Sequence, residues 1–167
     1  MFQGWCLTML GQREKGMTQL TNGLAAYRAQ GLLHVPMYLT LLADASRKVQ
    51  QPQNGLRQLE EAIRVTDRTQ LRYHDAEMHR VRGELFLSMH DDGAAEASFR
   101  KAIAVAQHQN AKTWELRAAM NLARLWRDQG KVQQARELLA PVYGWFTEGF
   151  DTLDLKEAKA LLEQLKA

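Results

Sequence analysis

The chain has few of the residues that mark several large classes of protein. Cys6 is the single cysteine among 167 residues, so no internal disulfide can form, which predicts a reducing, cytoplasmic location. We expect Cys6 to be a small buried side chain. Only three prolines occur and no long apolar run is present, which argues against a proline-rich linker and against a membrane span.

Groups for catalysis or metal binding are missing at the spacings they require. The five histidines and one cysteine do not supply a structural zinc site. Asp75 and His79 can share a helix face, and a surface pair is favoured over a metal or acid–base role. Gly11 and Gly16 have the spacing of a phosphate-binding loop, but Met17 stands where such a loop has lysine. We therefore predict no enzyme activity, no cofactor and no bound metal.

The charge of the chain is nearly balanced. The 22 basic residues are interspersed with 19 acidic ones, and the formal net charge is +3. Because no basic stripe stands out, the sequence argues against nucleic acid as the partner. The fractions of hydrophobic residues, 46%, and of charged residues, 25%, are typical of a compact globular domain. We therefore predict a single domain over residues 1–167.

What the chain does contain is a repeat of 39 or 40 residues. Small side chains recur at that spacing in two columns, Gly4, Ala43, Gly83, Ala123 and Gly16, Gly55, Ala95, Ala135. Large apolar side chains recur in a third, Leu20, Leu59, Phe99, Leu139. Helical sequence with such a period predicts an all-α solenoid of antiparallel helical hairpins, in which small residues let the two helices approach closely.

The apolar periodicity and the turn residues predict nine helices, over residues 2–10, 13–29, 36–49, 53–69, 72–89, 93–108, 111–128, 132–147 and 154–166. These make four hairpins and a final capping helix. Gly31 is expected to lie in a turn between helices. Asp154 and Glu157 are expected to form an acidic capping box that begins the last helix.

The columns resemble the tetratricopeptide repeat, whose first helix has a bulky residue, then Gly or Ala, then an aromatic. The period exceeds the 34 residues of the standard repeat, which indicates longer helices. The expected units are residues 1–31, 35–70, 72–109 and 111–148, with a cap at 153–167.

Segments after Lys112 carry a narrower resemblance. The sequence around Trp114 to Trp126, the stretch from Leu138 to Asp151 and the last helix are similar to the C-terminal region of bacterial AAA-type (STAND) ATPases linked to a class III cyclase or a transcription regulator. The resemblance implies a sensor or scaffold arm without catalytic residues. Because the chain starts close to Gly4, we expect it to be a fragment of a longer protein.

In tetratricopeptide arrays the first helix of each hairpin lines a concave surface. Transferring those positions predicts a binding face that is rich in arginine and contains Asp44, Arg47, Arg80, Glu84, Arg117, Arg124 and Arg127. Guanidinium groups there could bind carboxylates of an acidic peptide or protein. The alternative, about equally favoured, is a set of solvated charges. A structural or autoinhibitory arm, packing on the parent chain's own ATPase domain or on a second copy, also remains open.

Aromatic residues form a second candidate feature. Trp114 and Trp126 lie on one predicted helix, and further aromatic side chains crowd the junction before the last helix. Core packing is favoured over a ligand-binding aromatic box, because Trp126 occupies a regular bulky position of the repeat.

Overall fold

The structure, a computed structural model, describes residues 2–29 and 33–166. In these ranges it contains nine α-helices and no strand: α1 (Phe2–Met9), α2 (Arg13–Arg28), α3 (Val35–Lys48), α4 (Pro52–Thr69), α5 (Asp75–Leu87), α6 (Asp92–His108), α7 (Lys112–Asp128), α8 (Val132–Gly144) and α9 (Leu153–Gln164). The predicted all-α solenoid is confirmed, and the predicted helix boundaries agree to within three residues. The turn expected at Gly31 lies outside the described residues.

The helices form two layers. The odd-numbered helices contact one another in the order α1, α3, α5, α7, α9, and they form an inner layer. Each even-numbered helix packs between two successive inner helices, and within the described residues the outer helices do not contact each other. Helix α9 therefore takes the place of the inner helix of a fifth unit.

Small side chains hold the two helices of each hairpin together. A Cβ atom added to Gly4 would lie 2.9 Å from the carbonyl oxygen of Gly16, and one added to Gly55 would lie 3.0 Å from that of Ala43. In the third hairpin a Cβ on Gly83 would enter the ring of Phe99. The small columns of the repeat are therefore places of backbone contact, where a larger side chain would separate the layers.

The four hairpins close with the same turn. Gly11, Gln50, His90 and Gly130 all have positive φ angles, from 60° to 87°, and they follow the 39- or 40-residue spacing. The next amide in each turn donates to the carbonyl oxygen five residues earlier, at Leu7, Ser46, Phe86 and Trp126, over 2.8 to 3.0 Å. This is the Schellman arrangement that satisfies the last carbonyls of a helix. Glycine makes the left-handed conformation easy in the first and fourth turns.

Cys6 departs from its sequence prediction, because it is exposed. Gly4 and Thr8 are the buried residues of α1, and a residue midway between them lies on the opposite side of the helix. Within the described residues, no helix is long and apolar enough to cross a membrane.

Candidate binding groove

The inner layer contains a groove with a volume of about 650 Å³, which we call the inner groove. Its walls come from α1, α3, α5, α7 and α9 and from the residues before α5. It is lined by Phe2, Trp5, Met37, Thr40, Leu41, Asp44, Tyr73, His74, Glu77, Arg80, Val81, Glu84, Trp114, Arg117, Met120, Asn121, Arg124, Asp154 and Glu157. All of them except Tyr73 fall into five columns that repeat every 39 or 40 residues. The repeat therefore builds the groove by presenting the same helix face again and again.

Ion pairs occupy the middle of the groove. Arg80 binds Glu77 through two nitrogens, each 2.7 Å from a carboxylate oxygen, and its third nitrogen lies 3.0 Å from Glu84. Arg47 lies 2.8 Å from Asp44 and 3.4 Å from Glu84. These five side chains, which we call the central cluster, connect α3 to α5.

Burial and charge set the protonation of the groove. Burial works to lower the pKa of Arg80, but the charges and hydrogen bonds of Glu77, Glu84 and Asp44 raise it above its ordinary value. Arg80 therefore stays charged. Burial, followed by the charge of Arg80, lowers the pKa of His74 to about 4. This imidazole is thus neutral at pH 7, and its buried Nε2 atom has no partner among the described residues.

The arginines of α7 bind the last helix. Arg117 donates to Asp154 over 2.8 Å, and Arg124 donates to Glu157 over 2.8 Å. Farther along, Arg127 donates to Gln164 over 2.7 Å. The capping box expected at the start of α9 was wrong, because no side chain caps that helix. Both carboxylates lie toward α7, where guanidinium groups are available.

Aromatic side chains line one end and one edge of the groove. Phe2 is 58% exposed and Tyr73 is 46% exposed. Trp5 donates from Nε1 to Asp44 over 2.9 Å, which holds its ring beside the central cluster. The ring of Trp114 packs edge-on against that of His74, and the guanidinium of Arg117 lies 5.3 Å from its centroid.

The structure separates the two tryptophans of α7. Trp126 belongs to the apolar core between α6 and α9, as its place in the repeat predicts. Trp114 is half-buried and lines the groove instead.

Five of the seven residues proposed from the sequence line the groove, namely Asp44, Arg80, Glu84, Arg117 and Arg124. Arg47 is not part of the groove lining, but its guanidinium lies 3.4 Å from Glu84, which is. Arg47 lines a separate depression instead. Arg127 lies outside the lining. All five arginines of the prediction donate to an acceptor within the chain. The sequence prediction did not take such pairing into account.

Sequence reasoning missed several other lining residues, namely Phe2, Leu41, His74, Asp154 and Glu157. The signal for them was present, because the columns through Leu41, Trp114 and Arg117 continue at the same spacing into α1 or α9. Within the parts of the chain that the structure describes, no group of three acidic, histidine or cysteine side chains could hold a metal ion.

Comparison with known proteins bears on the fold. No protein-family model matches the chain, and no curated protein matches it. Among solved structures, it is similar to the nearly identical TPR-like repeats of a kinesin light chain from Podosopora anserina, with a TM-score of 0.66, 19% sequence identity, and coverage of 98% of this chain and 90% of that one. A single-residue variant of those repeats gives a TM-score of 0.67 at the same identity and coverage. The chain therefore has the tetratricopeptide-like fold.

Proposed function

We propose that this chain is a non-catalytic module that binds a protein or peptide in the inner groove. The observation that carries the proposal is the groove itself, which joins a row of half-buried apolar side chains to a charged central cluster. Recognition sites of this kind combine apolar walls with a few fixed polar groups. The resemblance of the segments after Lys112 to the C-terminal region of AAA-type ATPases, noted from the sequence alone, favours a place for the module as the sensor or scaffold arm of a longer signalling protein.

The groove can be tested by photo-crosslinking. A photoreactive amino acid would replace Met37 or Tyr73 in the groove, or Leu10, which is 78% exposed and outside the lining, as the control. The purified chains would then be irradiated in lysate of the source cell. We expect both groove positions to capture the same protein and Leu10 to capture none of it.

The identity of the captured protein separates the remaining alternatives. A product that contains a second copy of this chain would indicate self-association, and one that contains an attached ATPase region would indicate an internal structural arm. Capture at Leu10 equal to that at the groove positions would contradict the proposal. Charge reversal at Arg80 is a poor test, because it would place a fourth carboxylate among Asp44, Glu77 and Glu84 and unfold the cluster.

A further inference from the structure

The central cluster contains more negative than positive groups. The three carboxylates of Asp44, Glu77 and Glu84 share the two guanidiniums of Arg47 and Arg80. Glu84 receives the looser share, because its two contacts, at 3.0 and 3.4 Å, are longer than the 2.7 Å contacts of Glu77. Its side chain also remains 22% exposed. One negative charge therefore remains uncompensated at the groove surface.

The other charges of the groove do not change this balance. Arg117 is paired with Asp154 and Arg124 with Glu157, one carboxylate for each guanidinium. The excess negative charge is thus confined to the middle of the groove. A carboxylate that enters there would have to displace an existing partner of an arginine, whereas a cation would meet Glu84 directly. The local field therefore favours a basic ligand group.

Apolar and aromatic surfaces flank the negative centre. Met37 and Leu41 lie on α3 beside Asp44, and Phe2 and Tyr73 expose their rings at the rim. Aromatic rings attract cations as well as apolar groups, and Arg117 already lies over the ring of Trp114. The groove volume of about 650 Å³ is in the range of sites that enclose a small ligand, so it suits a short segment of a partner.

We propose that the inner groove binds a peptide segment in which a lysine or arginine side chain stands among large apolar side chains, with the cation at Glu84 and the apolar groups against Phe2, Met37 and Leu41. The inference rests on the proposed function and adds the chemistry of the partner. It reverses the sign of charge that the sequence predicted, because the arginines on which that prediction rested are paired within the chain.

The test uses three pools of short fluorescent peptides. Each pool has random Leu, Phe and Trp around one fixed residue, which is Lys, Gln or Glu. Binding is measured by fluorescence polarisation at low salt. We expect the Lys pool to bind about tenfold more tightly than the Glu pool, with the Gln pool between them, and the difference to shrink at high salt.

Variants assign the effect to the groove. Glu84→Gln should weaken binding of the Lys pool about fivefold or more and leave the Gln pool unchanged. Glu60→Gln removes the same charge from an exposed position on outer helix α4 and should change neither. The double variant Met37→Ala, Tyr73→Ala should weaken all three pools. Circular dichroism melting checks that each variant is folded.

The outcomes separate the inference from the function on which it rests. Preference for the Glu pool, or no preference, together with loss of binding in the Met37→Ala, Tyr73→Ala variant, overturns the basic ligand and keeps the groove. A Lys preference that is equal in Glu84→Gln and the parent chain also overturns it. Failure of all three pools to bind overturns the inference as well, and the crosslinking experiment then decides on the groove.

Discussion

At the scale of single residues, the close contact between the two helices of a hairpin limits the size of the side chain at the glycine and alanine positions of the repeat. Gly83 faces Phe99, which is fully buried. In the third hairpin, glycine on the inner helix therefore faces phenylalanine, the largest residue of the column of Leu20, Leu59, Phe99 and Leu139. Ser46 is a small polar residue in the column of Leu7, Phe86 and Trp126. Its buried hydroxyl lies 2.9 Å from the carbonyl oxygen of Leu42 and 3.1 Å from the side-chain oxygen of Gln58, so it is hydrogen-bonded.

We predict different effects for two glycine substitutions. Gly83→Ala should lower the free energy of unfolding by about 1–3 kcal/mol, because the new methyl group would overlap the ring of Phe99 and the buried ring has little space to move. Gly93→Ala, at an exposed position of α6 with no atom closer than 3.8 Å to the new Cβ, should be neutral or stabilising by up to about 1 kcal/mol. Urea denaturation measures both, and equal effects would contradict the contact argument.

At the scale of elements, α9 differs from the inner helices that precede it. It occupies the place of an inner helix, yet Glu163 stands in the column of Gly4, Ala43, Gly83 and Ala123 and is exposed. An outer helix could not approach a glutamate as closely as it approaches glycine or alanine. The inward face of α9 is apolar, with Leu155, Ala158, Leu161 and Leu165 buried. The helix therefore packs on the preceding hairpin through this apolar face.

We predict that α9 is held mainly by its apolar face. Leu161→Ala should cost about 2–5 kcal/mol, since the side chain is 3% exposed and its loss leaves a cavity. Glu157→Gln should cost less than about 1 kcal/mol, because the pair with Arg124 is exposed to solvent. Thermal melting followed by circular dichroism compares the two variants. A larger loss for Glu157→Gln would show that the ion pair dominates instead.

At the scale of the whole molecule, stability is distributed along the array. One buried cluster joins α2 to α5, and a second joins α6 to α9. Among the described residues, each helix contacts only close neighbours in the order of the repeat. Arrays of this kind behave as a series of units coupled to their neighbours. A disturbance at one end should therefore remain near that end.

Leu20→Ala tests this distribution. The side chain is 0% exposed, and its truncation should speed amide hydrogen exchange in α1 and α2 about tenfold or more, because local opening becomes easier. Exchange in α8 and α9 should stay unchanged. Leu139→Ala, at the equivalent position of the fourth hairpin, should give the reverse pattern. Faster exchange throughout the chain in either variant would show a single cooperative unit.

Several features of this protein follow from the sequence alone. The period, the small columns, the helix boundaries and the fold class are encoded in residues that lie close together or recur at a fixed spacing. Helix periodicity and turn chemistry act between residues that are close in the sequence, so they can be recognised without the tertiary structure. Each position of the repeat also occurs in four units, which makes its pattern easier to detect. The same spacing also identifies the helix face that lines the groove, including the positions in α1 and α9 that the sequence analysis did not use.

Only the tertiary structure decided which charges are paired. The carboxylate partners of Arg117 and Arg124 lie 37 and 33 residues away, on α9, and the central cluster joins residues of α3 and α5. Such pairs depend on how neighbouring helices pack and how far long side chains reach, which a list of residues on one helix does not contain. The sequence placed arginine on the inner layer, and packing determined that the charge left over in the groove is negative.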